Sequence, residues 1–141
     1  MARKARILIA DDEEGIRESL NLILGEAYDV AFAEDGQAAC AALTRQPFDL
    51  VLLDIKMPKL DGFSVMKRLK ELHIALPPIL ILTAYQSVEL AKEAVKLGAA
   101  AYLPKPFERG ELLQAVRETL REMSGLKRQG RSEQRSTSGK G

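Results

Sequence analysis

Five residues in this chain carry chemistry at positions that share a pattern. Asp11 and Asp12 follow the apolar run RILIA (Arg6–Ala10), and Asp54 closes DLVLL (Asp49–Leu53). Thr83 ends ILILT (Ile79–Thr83), and Lys105 lies in LPKPF just past AAYL (Ala100–Leu103). Three carboxylates gathered in one place repel, and each resists ionising unless a cation joins them. Carboxylate oxygens together with a backbone carbonyl, with no soft ligand nearby, suit a hard divalent ion, Mg²⁺ above all. An ionised, metal-bound Asp is a nucleophile toward a phosphoryl group. Mg²⁺ and the Lys105 ammonium would neutralise charge on the transferring oxygens, while the Thr83 hydroxyl binds one of them.

Residues this far apart in sequence meet only if the fold brings them together. RILIA, DLVLL and ILILT do not alternate with polar residues, the pattern of parallel strands covered on both faces. YDVAFA (Tyr28–Ala33) and AAYL are weaker strand candidates. Helical stretches lie between them. Ile16, Leu20, Ile23 and Leu24 share a face, and Gly25 is a plausible stop. Gly36 to Arg45 is alanine-rich. Leu60 to Leu72 carries Phe63, Met66, Leu69 and Leu72 on one side. Ser87 suits a cap for a helix with Leu90 and Ala94 inward. Leu112, Leu113, Val116, Leu120 and Met123 form a last stripe. Five strands alternating with five helices predict a doubly wound α/β sheet with right-handed crossovers. In such sheets ligands bind outside the carboxyl ends of the strands, so Asp54 is expected at the lip of a pocket rather than buried.

Composition limits the alternatives. The 141 residues are 46% hydrophobic, which is enough for one compact domain with a sizeable core. The single cysteine, Cys40, excludes an internal disulfide, reads as a small core residue, and with the single histidine, His73, leaves little for a soft-metal cage. His73 reads as a solvated surface group. No run approaches a membrane span, and the apolar part of the N-terminus, Ile7 to Ala10, is too short for a signal peptide. A cytoplasmic protein without membrane contact is expected. The net charge of +1 divides into 16 Lys/Arg against 19 Asp/Glu in residues 1–124 and five against one in residues 125–141. A mildly acidic body with a short basic tail is not the footprint of a nucleic-acid-binding fold.

The stretches ILIADDEE, LLDIKMPKLDG, ILILTA and YLPKPF together resemble the motifs of response-regulator receiver domains, the CheY-like fold. The likeness covers about residues 5–123 and includes all the strand-end positions in order. It implies a (βα)5 sandwich whose five-stranded parallel sheet has the flavodoxin/CheY-like order 2-1-3-4-5. Residues 1–123 would be the receiver and 124–141 a basic, Gly/Ser-rich tail or linker. It also implies that Asp54 accepts phosphate from a histidine kinase or phosphotransfer protein. Asp11, Asp12, Asp54 and the backbone carbonyl of Lys56 would hold Mg²⁺. Lys105 and Ala84 would bind the phosphate, Thr83 and Tyr102 would form the switch pair, and the Lys105–Pro106 bond would be cis. Signalling would use the surface from Ser87 to Met123 toward an effector or output domain, with a phosphorylation-dependent dimer as one arrangement. Lys56 and Tyr85, two residues after Asp54 and Thr83, are placed to tune the phosphate lifetime.

Several residues admit simpler readings. Asp11 and Asp12 suit a helix cap, Thr83 suits a strand, and Tyr102 suits a packed ring with its hydroxyl outward. Rival functions on related folds fit less well. A dehalogenase-type phosphohydrolase wants a second Asp where Lys56 stands, and a flavin carrier wants a polar, neutral loop where ADDEEG stands. No G-x-G-x-x-G follows a strand. The expected chemistry is self-phosphorylation and autodephosphorylation rather than that of an enzyme. Ala100 and Ala101 replace the two acids that receivers joined to winged-helix domains carry before the tyrosine. Whether the chain acts alone or as the receiver of a larger transcriptional activator or hybrid kinase stays open.

Overall fold

The computed structural model describes residues 3–122. Met123 and the basic stretch 124–141 lie outside the described residues. Strand β1 (Arg6–Ala10) is followed by α1 (Glu14–Leu24), β2 (Asp29–Ala33), α2 (Gly36–Arg45) and β3 (Leu50–Leu53). Then come α3 (Gly62–Glu71), β4 (Ile79–Thr83), α4 (Val88–Lys96), β5 (Ala101–Pro104) and helix α5, described over residues 109–122. All neighbouring strands are parallel, in the order β2-β1-β3-β4-β5.

The hydrophobic runs follow from this order. The three central strands are covered on both faces, so β3 and β4 are buried at every position. Ile7, Ile9, Leu50, Leu52, Leu80 and Leu82 pack with Leu20 and Leu24 of α1 and with Leu112 and Val116 of α5. The alternate residues, among them Leu8, Val51, Leu53 and Ile81, pack against α2, α3 and α4. The weaker strands β2 and β5 are the sheet's edges and are only half-buried along much of their length.

Two helix readings change. The α3 stripe does not include Leu72, which is 56% exposed; Val65, Met66 and Leu69 are the buried residues. A spacing of three falls short of a full turn of about 3.6 residues, so a run of such steps drifts off the core face. The helix itself starts two residues after Leu60, capped by Asp61, whose carboxylate accepts the Ser64 N–H at 2.8 Å. Gly25 follows the end of α1, but with φ −64° it ends the helix without a left-handed turn. Ser87 caps α4 as expected, accepting the Leu90 N–H at 3.0 Å.

Two glycines lock the loop after β3 in place. A Cβ on Gly62 would lie 2.4 Å from the Asp54 carbonyl oxygen, and the Gly62 N–H bonds Ile55 O at 2.8 Å. A Cβ on Gly36 would lie 1.8 Å from Leu60 O. The segment from Asp54 to Asp61 is thus clamped between the starts of α2 and α3. Within it, Lys59 adopts a left-handed φ of 68° and ion-pairs Asp35, the α2 cap, at 3.5 Å.

Candidate functional site

The parallel register brings the acids together. Ala10 of β1 pairs with Ala33 of β2 and Leu53 of β3, and the backbone ladder continues one step past the strands. The Asp11 N–H reaches Ala33 O at 3.1 Å and the Asp54 N–H reaches Ala10 O at 3.0 Å. At the other side of the sheet, the Lys105 N–H bonds Thr83 O at 2.9 Å. Asp11, Asp54, Thr83 and Lys105 therefore gather at the carboxyl end of the sheet, and all four are buried.

Asp54 is not at an open lip: it is 5% exposed and Asp11 only 2%. The expectation failed because both side chains turn onto the buried Lys105 ammonium. The solvent-facing part of the cluster is Asp12 and Glu13, both exposed. One oxygen from each of Asp11, Asp12, Glu13 and Asp54 lies within 4.8 Å of the others. Such a set, all hard oxygen donors and half open to water, fits Mg²⁺, which keeps several waters when bound.

Lys105 stands at the centre of these charges. Its Nζ donates to Asp11 Oδ2 at 2.6 Å and to Asp54 Oδ2 at 3.1 Å, with Glu13 at 3.7 Å. Burial pushes the Asp11 carboxyl above its ordinary value, and the opposing hydrogen bond from Lys105 does not cancel it. Desolvation draws the lysine down, yet the Asp11 hydrogen bond and the charges of Asp11 and Asp54 hold the ammonium above its ordinary value. The two shifts pull the pair in opposite senses. The distances favour an ionised pair in which Lys105 is firmly charged, and in which Asp11 gains from any further cation.

The remaining expected residues fall around this centre. Thr83 is fully buried, and its Oγ1 accepts the Tyr85 N–H at 3.2 Å. Ala84, between them, is exposed. Tyr102 is half-buried against the α2–α3–α4 face, and its hydroxyl donates to the Tyr85 carbonyl. The ring therefore does not stand free on the outer surface. Burial, and then the nearby Asp54 charge, push the Tyr102 phenol upward. Lys56 is exposed; its N–H approaches Asp54 Oδ1 at 3.4 Å, and its Nζ sits 5.3 Å from the centroid of the Tyr85 ring. The Lys105–Pro106 bond is cis.

Neither Asp11 nor Asp12 caps α1. The cap is Glu13, which makes no side-chain cap bond, while Asp11 Oδ1 accepts the Glu13 N–H at 2.9 Å. Two neighbours of the site were not singled out from the sequence. Glu13 is a fourth acid, and its place beside the Asp pair was the available signal. Arg17 donates to the Asp11 carbonyl at 2.7 Å, a reach across six residues that no motif announces.

Residues 7–117 match the family described as the response regulator receiver domain. The chain is 40% identical over 123 residues to the transcriptional regulatory protein FixJ of Bradyrhizobium diazoefficiens, covering 86% of this chain and 60% of the relative. It is 45% identical over 103 residues to the transcriptional regulatory protein ZraR of Escherichia coli, covering 72% of this chain and 23% of the relative. The chain thus spans only part of these curated relatives. Among solved structures, the chemotaxis protein CheY4 of Vibrio cholerae superposes with a TM-score of 0.77 at 33% identity, covering 83% of this chain and 99% of that one. A CheY-like receiver domain protein from Methanospirillum hungatei gives 0.81 at 31% identity, covering 87% and 98%. Among the described residues, no helix is long and apolar enough to cross a membrane.

Proposed function

From the premise that the chain belongs to the response regulator receiver domain family, we propose that it is a phosphoacceptor switch in which Asp54 takes a phosphoryl group from a histidine kinase or phosphotransfer protein. The observation that carries this reading is Lys105, whose ammonium bridges Asp11 and Asp54 inside a cluster of four acids. Asp54 Oδ attacks phosphorus, and the donor imidazole leaves. Asp11, Asp12, Asp54 and the backbone carbonyl of Lys56 would hold Mg²⁺, which would supply further positive charge for the phosphoryl oxygens.

The protein's own residues then divide the work. Lys105 turns from the carboxylates to a phosphoryl oxygen, and the Ala84 N–H faces another. The Thr83 hydroxyl donates to a third, which disturbs its bond from the Tyr85 N–H. Because the Tyr85 carbonyl also holds Tyr102, a shift of this loop is felt at β5 and α4. Each charge-assisted hydrogen bond contributes about 1.5–3 kcal/mol, and a shift from 1:99 to 99:1 needs about 5.5 kcal/mol. Thr83 alone therefore cannot complete the switch; Lys105, the metal ion and a partner contribute the rest.

The output surface runs from Ser87 along α4 to β5 and α5. Val88 and Val95 are 64% and 73% exposed there, an apolar stripe that supports a protein partner. The effector is a separate protein or an output domain on the same polypeptide. Relatives named as transcriptional regulatory proteins support transcription as the process controlled, without direct nucleic-acid contact by this domain. A phosphorylation-dependent dimer and a cytoplasmic location agree with the same reading.

The test compares amide NMR spectra before and after addition of a small acyl phosphate with Mg²⁺. The wild type should shift at Tyr102 and along α4. Thr83→Ala should accept phosphate yet lose most of that shift, and Asp54→Asn should show neither. A full wild-type shift pattern in phosphorylated T83A would overturn the coupling.

A further inference from the structure

We propose that Arg17 is a positioning residue for the acidic loop: by holding the Asp11 carbonyl it fixes the peptide that aims Asp12, and so sets the affinity of the acid cluster for a divalent cation. The inference rests on the receiver reading above, with the acids as the ion's ligands.

Each polar group of Asp11 is held by a different part of the molecule. The N–H bonds Ala33 O at 3.1 Å, Oδ1 accepts the Glu13 N–H at 2.9 Å, and Oδ2 accepts Lys105 at 2.6 Å. The carbonyl accepts Arg17 Nη1 at 2.7 Å. Three of these bonds hold the side chain and the strand end. The Glu13 bond also closes a turn over Asp12, but the Arg17 bond is the one made to the outgoing peptide's own carbonyl, which leads directly to Asp12. Asp12 is exposed, so neighbouring side chains do not enclose it, and its direction is inherited from that peptide.

The helix gives Arg17 a fixed base. Its own N–H bonds Glu13 O at 3.1 Å, within the first turns of α1. The α1 cap's own side chain makes no bond; the strand end is tied to the helix start by Asp11 Oδ1 accepting the Glu13 N–H, and one turn further along by Arg17. A guanidinium suits the task because its donors are pre-arranged in a plane and its charge is permanent. Groups that orient metal ligands without touching the metal matter for affinity by about tenfold or more.

Charge and positioning predict opposite signs, which makes the proposal testable. A cation near the cluster repels Mg²⁺, so if Arg17 acts only as a charge, removing it tightens binding. If it aims Asp12, removing it weakens binding. The experiment titrates the wild type, R17M, R17Q and R17K with MgCl₂, following the Asp12 and Asp54 amides by NMR, beside thermal melts in EDTA. R17M and R17Q should bind Mg²⁺ about tenfold more weakly, in the range of partners that orient ligands. R17K, which keeps the charge and one donor, should restore most of the affinity. R17Q guards against failure of R17M to fold. Unchanged or tighter binding in the variant that folds overturns the inference while leaving the receiver reading intact. Failure of the wild type to bind Mg²⁺ at these amides overturns both.

Discussion

Replacing Lys105 by methionine keeps the apolar stem and removes the charge. In the native protein this ammonium lies 2.6 Å from Asp11 and 3.1 Å from Asp54, with all three side chains at most 8% exposed. Its loss leaves two buried carboxylates whose oxygens approach within 4.8 Å. Their residual repulsion is about 3 kcal/mol at an effective dielectric near 20. Removing one partner of a buried pair costs about 3–5 kcal/mol. The lower figure applies, because exposed Asp12 and Glu13 leave the cluster open to water on one side. K105M should therefore melt on the order of 10 °C below the wild type in EDTA at neutral pH. Burial, which already raises the Asp11 carboxyl above its ordinary value, would then act without the opposing lysine. Such a group destabilises the folded form increasingly as pH rises through its folded value, so the deficit should shrink as pH falls toward about 5. Mg²⁺ should also raise the Tm of K105M more than that of the wild type, since it replaces the missing cation. Calorimetric melts at two pH values, with and without Mg²⁺, measure all three effects. Equal melting in EDTA, or a deficit indifferent to both pH and Mg²⁺, would refute the charge reasoning.

Gly62→Ala pushes a Cβ to 2.4 Å from the Asp54 carbonyl oxygen; it should lower stability by about 1–3 kcal/mol and slow acyl-phosphate labelling, and an unchanged denaturation midpoint would count against the clamp. Lys56 and Tyr85 stack at 5.3 Å, so K56A and Y85A should each change the phosphate lifetime and the double variant should add little more. Fully additive effects in a dephosphorylation assay would show that the two act independently. Cys40 is 7% exposed, and burial pushes its thiol up against the opposing pull of Arg68. A thiol reagent should therefore modify it only as the protein unfolds, and rapid labelling of the folded protein would contradict its place in the core.

The strands were legible because burial on both faces writes an unbroken apolar run, as in ILILT. The acids were legible because each follows such a run directly. What escaped the sequence depends on relations between distant or side-chain atoms. The depth of Asp54 goes with its bond to the buried Lys105 ammonium, a distant partner that no local pattern encodes. Arg17 acts through a backbone carbonyl, so the identity of its partner leaves no trace in the sequence. The end of α3 falls where the stripe predicts, with Leu72 as its C-cap. His73, exposed as expected, takes the left-handed φ of 58° usually given to glycine, with Ile74 N–H bonded back to Leu69 O at 2.9 Å. Asp35 and Asp61, caps for α2 and α3, each stand directly before the first residue of the helix, a cap signal that the sequence did offer.

The most direct measurement is the site of phosphorylation. The protein is mixed with a small acyl phosphate and Mg²⁺, and the modified residue is mapped by mass spectrometry in the wild type and in Asp54→Asn. The expected result is phosphate on Asp54 that requires Mg²⁺ and is absent from D54N. Phosphate on another residue of the wild type, or full labelling of D54N, would contradict the assignment.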